Sequence, residues 1–131
     1  MTPILFINCS RFPFVDQIMS LEKPLETRKK DMLRNLVGKR VLIAETCDHV
    51  RPLVKCSAFI EYGHPVYTRA EWDLLRKYTR IEEGSSFDWT PSTSVKWVYR
   101  LTDVRPVDPF NPPEGSRHGR VWMEYDGDFK C

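Results

Sequence analysis

Apolar and polar positions along the chain alternate in short, well-punctuated segments. Ile4 to Cys9 is an apolar run broken by one asparagine and bounded by polar residues, which predicts a short buried strand. Pro13 can open a helix in which Phe14, Ile18 and Leu21 recur on one face while Asp16, Gln17 and Ser20 face outward. The proline-led "PLETRK" reads as extended chain. There Leu25 and Thr27 share a face predicted to pack, and Glu26 and Arg28 share a polar one. Asp31 to Leu36 predicts a helical turn stopped by Gly38, and Arg40 to Cys47 a strand. In the next strand, Leu53 to Tyr62, Val54, Cys56, Ala58 and Ile60 alternate with Lys55, Ser57, Phe59 and Glu61.

Thr68 followed by Glu71 has capping-box spacing and predicts a helix from about Arg69 to about Tyr78, with Trp72 and Leu75 facing the core. A loop from Glu82 to Ser94 carries two aromatics, Phe87 and Trp89. After it, Val95, Trp97, Tyr99 and Leu101 alternate with Lys96, Val98 and Arg100 in a long strand, and Arg120 to Tyr125 predicts a last one. Strands dominate, and the strand–helix alternation of a doubly wound parallel sheet is missing. The expected class is α+β: a small mixed β-barrel of five to six strands with two to three flanking helices.

Composition narrows this picture. A chain of 131 residues, 41% hydrophobic and 29% charged, has the size and balance of a single packed domain spanning residues 1–131. Its apolar runs are much shorter than the roughly 20 residues that cross a bilayer, and no export-like start is present, so a cytoplasmic protein with no membrane contact is expected. The four cysteines lack close pairing and are expected to be free thiols. Cys47, His49, Cys56 and His64 lack the close spacing of a zinc knuckle, so neither a metal nor a cofactor is expected. A net charge of +2 argues against bulk coating of nucleic acid. Yet Leu21 to Arg40 holds seven Lys/Arg against Glu22, Glu26 and Asp31, a local surplus of +4.

That basic window carries a family likeness. "FVDQIMSLEKPLETRKKDMLRNLVGKRVLI" resembles the start of an ASCH (activating signal cointegrator homology) domain: a helix ending in Ser-Gly-x-Lys, then x-x-Glu-x-Arg on a strand, a Gly-Lys turn and an apolar strand. Lys23, Glu26 and Arg28 fill the charged positions and Gly38-Lys39 the turn. "WVYRLTDVRPVDPF" resembles the family's closing strand, so the likeness spans Ile4 to Phe110 and leaves residues 111–131 as a C-terminal extension. It implies a PUA-like fold with a cleft lined by the charged motif, and binding of RNA or of a modified nucleoside. One bacterial branch resembles an amidohydrolase of N4-acetylated cytidine. Two departures stand out: Leu21 replaces the family's glycine at a helix end that commonly wants a left-handed residue, and Pro24 stiffens the next step. A third is Glu26, where the enzyme branch has threonine, whose hydroxyl chemistry a carboxylate lacks.

The residues themselves suit such a ligand. Glu26 and Arg28, about 6.5 Å apart on one strand face, offer an acceptor for exocyclic amino groups and a planar donor fork, and Lys23 adds a point charge. Trp97 or Trp89 would supply a stacking wall, with Phe87 a further aromatic of the same loop. Lys29, Lys30, Arg117 and Arg120 are candidate phosphate contacts. Were the protein an enzyme, Lys23 with a burial-lowered pKa would act as base, with Glu26, Glu82 or Glu83 moving the proton. The expected partner is RNA or a nucleoside or nucleotide, bound by a monomer. A protein-interaction module using the loop aromatics is the alternative outside nucleic-acid chemistry.

Overall fold

The computed structural model describes residues 1–113 and 121–131. Its elements run β1 (Thr2–Asn8), α1 (Phe14–Met19), β2 (Leu25–Arg28), a 3-10 turn (Arg34–Leu36), β3 (Arg40–Cys47), β4 (Val50–Val66), α2 (Arg69–Thr79), β5 (Lys96–Phe110) and β6 (Trp122–Tyr125). The strands form one sheet in the order β2-β5-β4-β3-β1-β6, antiparallel except for β1 beside β3. Among the described residues no helix is long and apolar enough to cross a membrane.

β1 and β3 are continuous apolar runs because both of their faces are covered. Leu5, Ile7, Val41 and Ile43 point to one side, where α1, α2 and the turn residues Leu33 and Leu36 close the main core. Ile4, Phe6, Leu42 and Ala44 point to the other, under Phe110, Met123, Tyr125 and Phe129. In β4 the expected single face is split. Cys56, Ala58 and Ile60 join the main core, but a bulge lets Ile43 pair with Cys56 and Ala44 with Val54, which turns Val54 to the opposite cluster.

The helix ends follow capping rules. At α2, Thr68 Oγ1 accepts from the Glu71 amide at 3.2 Å, as the sequence predicted, and Trp72 is fully buried. At α1, the Glu22 amide donates to Gln17 O at 2.9 Å and the Leu21 amide to Ile18 O at 3.1 Å, the two bonds of a Schellman turn. Leu21 therefore stands at φ 68°, where the ASCH pattern has glycine, and its side chain is exposed rather than on the apolar face of α1.

The expected barrel is corrected. Among the described residues no ladder joins β2 to β6, and the sheet is open. Both edge strands are four residues long. At the end of the β1–β6 pairing the Phe6 amide donates to Val121 O at 3.0 Å, while Phe6 O accepts from Arg28 Nη2 at 3.0 Å. A side chain of β2 thus reaches β1, one strand in from the β6 edge.

Candidate functional site

β2 carries the charged motif, but both of its faces are enclosed. Leu25 and Glu26 are buried, Thr27 and Arg28 half-buried, so the polar face predicted for the strand lines an internal hollow rather than open surface. β5 sets the register, pairing Glu26 with Tyr99 and Arg28 with Trp97, and the Leu101 amide donates to Pro24 O at 2.8 Å, which fixes the stiffened step ahead of the strand.

Lys23, Glu26 and Arg28 form a continuous chain of charge. Lys23 Nζ lies 3.8 Å from Glu26 Oε1, and Arg28 Nη2 donates to Glu26 Oε2 at 3.1 Å. The Thr27 amide donates to Glu26 Oε1 at 2.9 Å, so the carboxylate is held by three donors or charges at once. Lys23 is 1% exposed and donates to Thr79 O, the last carbonyl of α2, with its ammonium 4.6 Å from the Phe14 ring centroid. The C-terminal end of a helix favours a cation and offers carbonyls that lack intrahelical partners, which accounts for the lysine's position beneath the site. Burial lowers its pKa to about 8, and the neighbouring positive charge of Arg28 pushes the same way while Glu26 opposes both.

Above this chain lies a hollow of about 80 Å³ lined by Ile7, Asn8, Glu26, Thr27, Arg28 and Ile81, with Phe14 and Phe87 as aromatic walls. The Phe14 and Phe87 rings meet edge-on with centroids 5.7 Å apart, and Phe12 adds a third ring 6.1 Å from Phe87. Arg28 Nε is buried and has no hydrogen-bond partner among the described residues, although Nη2 is fully engaged. A buried N–H left unpaired costs about 1–3 kcal/mol, so this donor is left with an unmet demand for an acceptor. Glu26 keeps accepting capacity as well, since each carboxylate oxygen has two lone-pair sites.

The other predicted residues fall elsewhere. Trp97 stacks beside Tyr99 with centroids 6.4 Å apart and Trp89 packs on Trp72 at 6.2 Å; neither is a wall of the hollow. Phe14 and Phe87 line it. Only the loop's return onto α1 brings them together, and no local pattern encodes that. Glu83 is exposed, 3.7 Å from Arg69 Nη2, and Glu82 is exposed too, so Glu26 is the carboxylate beside Lys23. Lys29 and Lys30 are exposed next to the hollow, while Arg117 and Arg120 lie outside the described residues.

The loop that carries Phe87 is tied down by Asp88. Its Oδ1 accepts from Trp72 Nε1 at 2.7 Å and lies 3.1 Å from Arg76 Nη2, and its Oδ2 accepts from the Gly84 amide at 2.8 Å. Burial pushes this carboxyl up. The bonds from Gly84, Trp72, Trp89 and Arg76 outweigh it and hold the pKa at about 2. The sequence offered no signal for Asp88 beyond its place in a polar loop.

Comparison with solved structures supports the fold. The chain is similar to an ASCH crystal structure from Zymomonas mobilis, with a TM-score of 0.68 and 21% identity over 84% of this chain and 73% of that one. It is similar also to a serine-to-alanine variant of that protein, with a TM-score of 0.71 and 19% identity over 95% and 88% of the two chains. A tyrosine-to-phenylalanine variant gives a TM-score of 0.67 at 20% identity, covering 84% and 75%. At this identity the likeness establishes an ASCH-type fold. No protein-family model and no curated protein matches the sequence.

Proposed function

We propose that this chain, with its ASCH-type fold, binds a nucleoside or nucleotide, free or as an unstacked base of RNA, in the hollow lined by Glu26, Arg28, Phe14 and Phe87. The observation that carries the reading is the Arg28 guanidinium: one nitrogen locked to Glu26 and Phe6 O, and Nε buried without a hydrogen-bond partner, in a side chain that lines the hollow. An acceptor on a planar base satisfies Nε, the spare lone pairs of Glu26 accept from an exocyclic amino group, and the two rings supply apolar contact. The size of the hollow fits one ring. Sites for larger ligands run to about 300–1,000 Å³.

Titration of cytidine, N4-acetylcytidine, uridine, adenosine, guanosine and a short single-stranded RNA against the wild type, Arg28→Ala and Phe87→Ala tests the proposal. At least one ligand should bind, with affinity reduced at least tenfold by either substitution. Equal affinities for wild type and both variants would count against this site.

One observation favours hydrolysis as a second reading: a lysine with a pKa lowered to about 8, 3.8 Å from a carboxylate, is in part a neutral amine near neutral pH, and that form can take up a proton. Lys23 is not itself a wall of the hollow, whereas Glu26, 3.8 Å from its ammonium, is. Conversion of N4-acetylcytidine to cytidine, abolished in Lys23→Ala, would establish it. Loop aromatics engaged in the core, Phe87 on Phe14 and Trp89 on Trp72, leave little for a protein-interaction reading.

A further inference from the structure

A second, larger hollow of about 390 Å³ is lined by residues that neighbour those of the first along the chain. Thr27 and Arg28 line the first, Lys29 and Lys30 the second; Phe87 lines the first, and its neighbours Ser86 and Asp88 line the second. Arg28 and Lys30 are two residues apart, no more than about 7–8 Å of chain. That is the order of separation between a nucleotide's base and its phosphate.

The charge in this second hollow is unbalanced. Lys29, Lys30 and Lys96 line it, and none of the three forms an ion pair among the described residues. Lys96 is 6% exposed, donates to Phe87 O and sits 4.8 Å from the Trp72 ring centroid. A buried ammonium without a counter-ion is costly. The cost shows as a pKa lowered by burial and by the charge of Lys29, with Asp88 opposing. Asp88 is the one carboxylate in the lining, and its oxygens are already taken by Trp72, Gly84 and Arg76. Hydroxyls from Thr90, Ser92 and Thr93, bonded to one another at 3.0–3.1 Å, complete the wall with groups that rotate to donate.

We infer that the hollow of Lys29, Lys30 and Lys96 is a phosphate subsite, taking the phosphate of a nucleotide whose base lies against Arg28 and Phe87. This rests on the proposed base site and adds to it a preference for phosphorylated ligands. Lysine suits the task, since it meets phosphate as a mobile point charge without requiring one bidentate geometry.

The test compares each nucleoside with its 5′-monophosphate by equilibrium titration of the wild-type chain, the Lys29→Ala/Lys30→Ala double variant and Lys96→Met. The monophosphate should bind at least tenfold more tightly than its nucleoside, and the double variant should erase that advantage while leaving nucleoside affinity unchanged. Monophosphate and nucleoside affinities that are equal in the wild type would overturn the inference. Should no nucleoside bind, the base site fails, and inorganic pyrophosphate becomes the probe. Shifts of the Lys29, Lys30 and Lys96 amide resonances on adding it would sustain the subsite alone, and their absence would overturn it. A short oligoribonucleotide with and without a 5′ phosphate separates a terminal phosphate from a backbone one: a phosphate-dependent gain assigns the terminal group, and equal affinities lost in the double variant assign the backbone.

Discussion

Raising the pH through the range where Lys23 loses its proton should stabilise this protein. Lys23 is 1% exposed, and burial, reinforced by Arg28, lowers its pKa from 10.5 to about 8 against the pull of Glu26. In the unfolded chain the lysine holds its proton up to about pH 10.4. Between pH 8 and 10.5 the unfolded state therefore binds more protons than the folded one, and stability rises with pH across that window. Below pH 8 both states are protonated and the whole penalty of burying the charge is present. With about 1.4 kcal/mol per pH unit, the gain over the window is about 3 kcal/mol. At an m-value near 2 kcal/mol/M that corresponds to a urea midpoint shift of about 1.5 M.

The assay is urea unfolding of the wild type and of Lys23→Met at half-unit steps from pH 7 to 10.5, read as the difference between the two. Subtraction removes the exposed lysines and the Tyr99 hydroxyl, whose pKa burial and Asp31 raise, so that its ionisation opposes the fold at high pH. The wild-type-minus-variant stability should climb by about 3 kcal/mol, whatever its value at pH 7. A flat difference would show that the ammonium is solvated, and with it that the motif does not form the enclosed chain of charge described for β2.

Three further outcomes are expected. Leu21→Gly removes about 1–2 kcal/mol of left-handed strain at φ 68° and restores about half of that as unfolded-chain entropy, so the melting temperature should rise by a few degrees in calorimetry. Asp88→Asn loses the charge that anchors the 82–94 loop, whose pKa of about 2 against the usual 3.8 is worth about 2 kcal/mol above pH 4, and a melting temperature that no longer falls as steeply between pH 4 and 2 checks it. Gly63→Ala places a Cβ 2.8 Å from Tyr99 Cε1 across the β4–β5 ladder, and chemical denaturation should show a loss of about 1–3 kcal/mol.

The sequence made the charged motif and its strand legible because local order suffices: the helix, the turn through Ser20 and Lys23, and Glu26-x-Arg28 lie within one short stretch. The capping box at Thr68 and Glu71 and the alternation in β4 were readable for the same reason. Tertiary events hid the rest. The polar face of β2 turned inward because α1 and the loop at Phe87 cover it, and the bulge that rotates Val54 leaves no compositional mark. Lys96 alternated with apolar residues as an outward lysine should, yet the loop folds over it and buries it against Trp72. Of the aromatics the sequence singles out, Phe87 lines the hollow, and the chain path adds Phe14 from α1.

The most direct measurement of the central claim follows one proton, the Nε–H of Arg28, by nitrogen-15 side-chain spectroscopy during titration with nucleosides and nucleoside monophosphates. Saturation by a bound base should shift this resonance strongly, leaving those of the surface guanidiniums of Arg34 and Arg105 in place. A ligand that saturates the protein while the Arg28 resonance stays fixed would contradict the account.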